Sequence, residues 1–577
     1  MDCKGLIDVA AGRRTADLLL EHCRIVDVFG HRIIENDVAL WGGRVAGVGQ
    51  KYRARRTIDL GGRYLAPGFI DAHIHLESSM LLPAEFARLA AARGTTLCVC
   101  DPHEIANVMG LAGIRLLARL SRRLPVEFRF SLPSCVPASP LETSGHSLSA
   151  AQLSTLAGEP WVAGLAEVMN FPGVVAGSAG LLAKLALVPG QPLDGHAPGL
   201  TGQSLAAYLA CGISSDHECT TAAEAAEKLS AGCQVMIREG STARNLAALL
   251  PLVRPETLPR LMLVSDDLSP EELLEEGHLD RILRRARALG ADPISLIRMV
   301  TLNPALYFGL PRRGAVAPGY IADLCVLDDL EGFRVSAAFK AGRQSYPLSA
   351  DNEPARNQVA PRSSMRLAEI GPEIFGVAHR PGQARVIQLV PGQIVTLAAA
   401  QALPERGGAA VADPSRDLVK LAVIERHGRS GHGRGGGKGP NIGIGFVQGL
   451  GLRRGALAST VAHDSHNLIV AGVDDADMAR AANALIECGG GQAAVAGGRV
   501  LARLPLPLAG LMSTSAAEEV VAQERALLRA ARELGCQAET SPFMALSFLA
   551  LPVIPALKLT DLGLVDVGRF EVVPLWV

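Results

Sequence analysis

The chain has 577 residues, of which 49% are hydrophobic and 20% charged, with a formal net charge of −1. That length calls for two or three domains, and the apolar content excludes a disordered chain. A balance so close to neutral, with no basic tail, argues against nucleic acid or an acidic membrane as partner.

Eleven cysteines occur without any C-x-x-C spacing and read as reduced thiols rather than a disulfide framework. The opening MDCKGLIDVAAGRRTADLLL has no long apolar stretch leading to a cleavage site. No apolar run reaches the roughly 18 residues of a membrane span. A soluble cytoplasmic protein is the expectation.

In chain order, the first 66 residues carry short β-like runs, ADLLLEHCRIVDV, DVALWGGRVAGVG and RTIDLGGRYLAPG. The same signature returns in GAVAPGYIADLCVLD and FRVSAAFKAGR. Residues 1–66 and 311–345 are therefore expected to build one small β-sandwich domain from both ends of a long insertion. Within that insertion, 67–310, eight apolar runs end on polar residues or Gly: PGFIDAHIHLE, TTLCVCDPHE, FRFSLPSCV, VAGLAEVMN, PLDGHAPG, GISSDHE, QVMIREGS and LMLVSDD. Helical patterns such as PAEFARLAAARG and TAAEAAEKLSAG separate them. Eight such units in this length predict an α/β fold, a (β/α)8 barrel. A polar, Pro-containing stretch at 346–366 reads as a linker. Residues 367–577 are expected to form a C-terminal α+β domain with a helix near Ser515–Leu534.

A barrel of this kind carries its chemistry at the C-terminal ends of the strands. The first run ends in His73-Ile74-His75, whose imidazoles share one side of a strand and can reach one metal. The fourth ends on Glu167, the fifth on His196, the sixth on His217 and the eighth on Asp266. Each alone has a bland reading: H-x-H is common, and Asp before a helix is often a cap. Together they fall in phase at the ends of different predicted strands, and they suffice for two divalent ions.

Other candidates keep two readings open. Asp101-Pro102-His103-Glu104 ends the second run. It is either a proton relay toward the substrate, with Glu104 preferred over His103, or a Pro-started helix with an acidic first turn. Glu77, Ser78 and Glu218 flank the candidate ligands. Arg238 and Glu239 either face the substrate or pair with each other. In the third region, His463, Asp464 and His466 lie either in a capping-type turn or at the mouth of the active site. Gly431–Gly436 spells G-x-G-x-x-G in a Gly-rich run without a strand before it, and Gly437-Lys438-Gly439 lacks the rest of a P-loop. Cys98 and Cys100 alternate in a buried strand and read as core. No P-C-x-x-C follows His75-Leu76-Glu77, which excludes the cytidine-deaminase fold.

This pattern of ligands, with the two flanking β segments, resembles the amidohydrolase superfamily. HIHLESSM, CDPHEIANVMG, AEVMNFPGV, DGHAPGL, SSDHE, IREGS, LVSDD, GALASTVAHDSHNLIVAG and LPLAGLMS resemble, more narrowly, the bacterial adenine deaminase family, over nearly the whole chain. Many binuclear relatives place a carboxylated lysine on the fourth strand, where this chain has Glu167. A carboxylate already carries the bridging charge. The resemblance implies two manganese or iron ions, with zinc a further candidate.

The implied reaction is attack of a metal-activated hydroxide on C6 of adenine, giving hypoxanthine and ammonia in purine salvage, with Asp266 as the base. The expected partners are this small molecule and a second copy of the chain, a homo-oligomer in the form of a dimer. The competing expectations are another amidohydrolase reaction, cyclic amide hydrolysis or N-deacetylation, and a purine-binding barrel that has lost its chemistry.

Overall fold

The computed structural model describes residues 2–347, 363–429, 439–536 and 541–577. Most of the expected linker, the whole Gly431–Gly436 run, and Gly437 and Lys438 lie outside the described residues.

The N-terminal segment forms β1 (Ala16–Asp27), β2 (Arg32–Trp41), β3 (Arg44–Val48), β4 (Ala54–Asp59) and β5 (Tyr64–Pro67). The barrel region supplies β6 (Phe69–His75), β7 (Thr95–Cys100), β8 (Glu127–Leu132), β9 (Val162–Val168), β10 (Leu193–Gly195), β11 (Ser215–Asp216), β12 (Gln234–Arg238), β13 (Leu261–Val264) and β14 (Asp266–Asp267). Beyond it come β15 (Leu324–Leu327), β16 (Val335–Lys340) and β17 (Arg343–Tyr346). Strands β1–β5 and β15–β17 form one continuous sheet, because β5 pairs with β1 on one edge and β15 on the other. The two β-like ends of the sequence thus meet.

The eight runs of the barrel are all strands. Parallel ladders join β10-β9-β8-β7-β6-β14 and β11-β12-β13. The two ladders connect because β13 continues through Ser265 into β14, which pairs with β6. At the other seam, Ser214 donates its N–H to Leu193 O at 2.9 Å. Strands β6, β7, β9 and β13 are buried at every position, as parallel strands under a helical layer must be. Ile70, Leu97, Val99, Met236, Met262 and Val264 fill a common interior cluster. Outside, Pro at a first-turn position starts the helix Pro83–Ala92, and the Thr221 hydroxyl caps Ala222–Ser230.

The C-terminal region is built on an eight-stranded sheet. In spatial order its strands are Thr396–Gln401, Ala384–Leu389, Ile442–Gln448, Leu418–Ile424, Leu468–Gly472, Ala456–Ser459, Gly491–Ala496 and Arg499–Pro505. One face packs under the helix Asp475–Cys488 through Met478, Ala482 and Leu485. The other shares an apolar cluster with the barrel's helical layer: Leu421, Val423 and Ile469 join Phe86, Val108 and Leu117. Burial of this kind stabilises by about 25 cal/mol per Å² of apolar surface removed from water, so the sheet is fixed against the barrel. Ser513 N–H donates to Met80 O at 2.7 Å, and Asn467 Nδ2 donates to Thr143 O at 2.9 Å. These bonds set the loop around His463 over the barrel mouth. The helix Ala517–Glu533 reaches the barrel through Arg525, 2.9 Å from Glu271 and 3.0 Å from Glu275. No helix among the described residues is long and apolar enough to cross a membrane.

Candidate active site

The strand ends share a local device. Asp71 Oδ1 accepts the His73 N–H at 3.4 Å, Asp101 Oδ1 accepts that of His103 at 3.0 Å, and Asp216 Oδ1 accepts that of Glu218 at 2.8 Å. At Asp101 and Asp216 this bond to the amide two residues on closes a turn and ends the strand, whereas Asp71 makes it within β6, which runs on to His75. His103 and Glu218 therefore leave the barrel wall at its mouth, and His73 reaches the mouth from the last pleat of β6. Asp194, two before His196, instead accepts from the Ser215 and Tyr307 hydroxyls, each at 2.8 Å.

The side chains so placed converge. His73 Nε2 and His75 Nε2 are 3.2 Å apart, and both face Asp266 Oδ1, at 3.5 and 3.3 Å. On the other side, Glu167 Oε2 lies 2.6 Å from His196 Nδ1 and 3.0 Å from His217 Nε2. Glu167 Oε1 lies 3.6 Å from His75 Nε2 and 3.5 Å from His103 Nδ1. Glu167 thus stands between two groups of imidazoles. Burial would raise its carboxyl, but His196 and His217 outweigh that and hold it well below the usual range. Asp266 is likewise buried, yet His73, His75 and Arg238 hold it well below the ordinary carboxylate value. Its backbone φ of 56° is one that Asp tolerates better than most side chains.

All six expected ligands therefore share one centre, and two residues expected nearby are part of it. His103 and Asp101 complete a buried donor group with His75 and Glu167. Their facing atoms, Asp101 Oδ2 and His103 Nδ1, stand 3.2 Å apart, and neither makes a hydrogen bond. Buried polar atoms without partners are costly, and a cation among these donors would satisfy them. A set of imidazoles and carboxylates suits manganese, iron or zinc. The residues fit two divalent ions. The pattern Asp-x-His at 71–73, 101–103 and 194–196 was the signal in the sequence for His103.

Around this centre, Arg238 donates to Asp266 Oδ2 at 3.0 Å and makes a two-pronged pair with Glu218, Nη2 to Oε2 at 2.8 Å. It does not pair with Glu239. Adjacent strand residues face opposite ways, and the Glu239 carboxylate turns from the centre to accept from Leu246 N–H at 3.2 Å and Arg285 Nη1 at 3.1 Å. Of the expected site residues, Glu239 alone is not brought to the mouth. Ser78 Oγ donates to Asp267 Oδ1 at 2.5 Å, and Glu77 Oε1 accepts from Ile105 N–H at 3.0 Å. Burial pushes the Glu77 carboxyl up to about 7.

Glu104 starts the helix His103–Leu120, and its carboxylate is gripped by the C-terminal domain. His463 Nδ1 lies 2.7 Å from Glu104 Oε1, and His466 Nε2 contacts Oε2. The Ala462 N–H donates to His466 Nδ1 at 3.2 Å, which leaves the ring's proton on Nε2 to donate to Glu104. Burial lowers both histidines. His466 falls to about 4, whereas the Glu104 charge prevails at His463 and lifts it to about 9. The pair His463–Glu104 is an imidazolium and a carboxylate.

The backbone carrying these histidines is clamped from below by residues the sequence reading did not single out. The buried Arg426 donates Nη2 to Ala509 O at 2.8 Å and Nε to His466 O, and His427 Nε2 lies 2.8 Å from Ser465 O. Asp464 is buried, with its carboxyl pushed up to about 6 by burial. A cleft opens between the two domains. Glu77, Glu104, Asp267 and His463 line its polar side, and Met80, Leu511 and Met544 its apolar side.

Residues 64–345 match the family model described as "Amidohydrolase family", and residues 393–571 match "Adenine deaminase C-terminal domain". The chain is 47% identical over 582 residues to "Adenine deaminase 2" of Carboxydothermus hydrogenoformans, covering 99% of both chains. It is 47% identical over 579 residues to "Adenine deaminase" of Desulfatibacillum aliphaticivorans, again covering 99% of both. With the protein of the same description from Nitratidesulfovibrio vulgaris the figure is 48% over 571 residues, covering 98% of this chain and 97% of the other. With its barrel region and its C-terminal region both matched, and with full-length relatives at 47% and 48% identity, the chain belongs to the adenine deaminase family of the amidohydrolase superfamily.

Proposed function

We propose that the protein is a metal-dependent adenine deaminase, converting adenine and water to hypoxanthine and ammonia. The observation that carries this reading is the ring of buried imidazoles and carboxylates centred on Glu167, on a chain similar over its full length to adenine deaminases. His73, His75, Glu167, His196, His217 and Asp266 would hold two divalent ions, manganese or iron, supplying the Lewis acidity that brings deprotonation of water toward neutral pH.

The chain's own groups do the rest. Asp266, held ionised, accepts the proton of the attacking water and passes it toward the departing amine at C6. Arg238, fixed by Glu218, keeps the Asp266 carboxylate oriented. The His463–Glu104 pair holds a proton at the cleft, which serves a ring nitrogen as electrons flow into the purine and is replaced by the remaining proton of the added hydroxyl as the C6 carbonyl forms; His103, 3.4 Å from Glu104 Oε1, links that pair to the metal ligands. Met80, Leu511 and Met544 offer an apolar wall to the flat base, and the C-terminal domain restricts water at the mouth.

The small cleft, with no stacking platform for a polynucleotide among the described residues, suits the free base as substrate. Within the same proposal the enzyme is cytoplasmic, in keeping with eleven unpaired cysteines, and works as a homodimer. The domain limits proposed are 1–66 with 311–345, 67–310 and 367–577, joined by the linker 346–366.

Ammonia release from adenine and adenosine, with formation of the ring-opened carbamoyl acids from hydantoin and dihydroorotate followed separately, tests the proposal. Turnover of adenine alone is expected. Efficient ring opening, or efficient deamination of adenosine, would overturn it.

A further inference from the structure

Behind the first strand lies a polar group that does not line the cleft and whose carboxylate is turned away from the ligand ring's own side chains. Asp71, fully buried, bonds Ser265 twice: Oδ2 accepts the Ser265 hydroxyl at 2.5 Å, and Oδ1 accepts the Ser265 N–H at 3.3 Å. His278 Nε2 lies 2.9 Å from Asp71 Oδ2, and His278 Nδ1 lies 2.7 Å from Thr95 Oγ1. The His278 ring is fully buried and meets Phe86 edge-on at 5.3 Å. A buried carboxylate is expensive unless charge or hydrogen bonds offset it, so a position needing only packing would not hold one.

Its location gives it a use. Ser265 is the junction at which the last barrel run leaves β12, its partner along β13, and joins β6 through β14. The next residue is Asp266, in a left-handed backbone conformation. Asp71 therefore holds both the amide and the side chain of the residue immediately before Asp266, and through that residue the direction in which the Asp266 carboxylate leaves the strand. Asp71 also bonds the His73 amide, so one side chain references strands one and eight, from which Asp266 and His73 come.

We propose that Asp71 is a positioning residue for Asp266, acting through Ser265 and steadied from behind by His278 and Thr95. This rests on the reading that Asp266 takes part in the chemistry. A misplacement of about 1 Å at a reacting group costs on the order of a hundredfold in rate.

The test compares Ser265→Ala, Asp71→Asn, Asp266→Asn and the double variant Ser265→Ala/Asp266→Asn. Each is assayed in the manganese-loaded enzyme for kcat, KM, metal content and thermal unfolding. Ser265→Ala is expected to lower kcat roughly tenfold to a hundredfold with KM little changed, and Ser265→Thr, which keeps the hydroxyl, to recover most of it. The double variant should be no slower than Asp266→Asn, because effects passing through one group do not add. Should Asp71→Asn fail to fold, Ser265→Ala, which removes a single oxygen, decides the matter. An inactive Asp266→Asn beside a fully active Ser265→Ala overturns the positioning role alone, as does a double variant slowed by both factors. An Asp266→Asn enzyme with full turnover overturns the reading of the site itself.

Discussion

Replacing His463 by Ala separates the two domains' contributions to the chemistry. The substitution removes the donor 2.7 Å from Glu104 Oε1 and leaves His466 as the carboxylate's remaining partner from the C-terminal domain. A hydrogen bond to a charged group contributes about 1.5–3 kcal/mol, and the Glu104 carboxylate is too buried for water to replace it. If that contact serves the reaction, turnover falls at least about tenfold, which corresponds to about 1.4 kcal/mol of transition-state stabilisation. The metal content should be unchanged, because the six proposed ligands lie on the barrel.

The partner variant His463→Gln keeps an N–H donor without a titratable proton. It should restore thermal stability but not turnover. The pH dependence carries the same distinction. With its folded value raised to about 9, His463 contributes stability that is fully present below its ordinary value near 6.5 and lost as pH rises through about 9. In the wild-type enzyme kcat should decline over that alkaline range, and in His463→Gln this decline should disappear. Steady-state ammonia release from pH 6 to about 10, with metal analysis of each sample, makes the measurement. Wild-type kcat and KM in both variants would refute the reasoning and leave the loop a structural turn. Precipitation of both would make it domain core.

Three further outcomes follow from the same geometry. Glu167→Gln should lose bound metal and turnover together, and the wild-type rate should not respond to added bicarbonate, since no carboxylated lysine is involved; a Glu167→Gln enzyme with two metals and normal rate would contradict this. His466 is pushed down to about 4 and acts as a fixed neutral donor, so His466→Ala should lower turnover about as much as His463→Ala without altering the alkaline limb of the pH profile. Lys558 is fully buried with one hydrogen bond, to Ile394 O at 2.9 Å, and burial lowers it to about 7. Its charged form therefore destabilises the fold fully below pH 7, and that penalty is relieved as pH rises toward its ordinary value near 10.5; Lys558→Met should stabilise by a few kcal/mol, about 3–5, at or below neutral pH and by little at pH 10, as read from paired denaturant unfolding curves.

The barrel was legible because parallel strands buried on both faces appear in sequence as unbroken apolar runs, and TTLCVC and VAGLAEV show no alternation to confuse them. Strands Leu193–Gly195 and Ser215–Asp216 are too brief for any periodicity, and only the Asp and His at their ends marked them. The imidazoles and carboxylates that converge at the mouth were legible for the same reason of phase. Glu239 was misjudged because a strand's last residue and the one after it look alike in sequence while facing opposite sides. The grip on Glu104 had no local signature: His463 and His466 lie 359 and 362 residues away from it, and only the packing of the C-terminal sheet on the barrel brings them together. Arg426 left no trace either, since a single Arg at the end of an apolar strand reads as a solvated strand end until its carbonyl partners are seen.

The most direct test of metal-dependent adenine deamination is a titration of the metal-depleted protein with manganese, following ammonia release from adenine at each step. Turnover should be negligible at the start, rise with added ion and level off at two equivalents per chain. Full turnover in the metal-depleted protein, or none at two equivalents with both ions bound, would contradict the assignment.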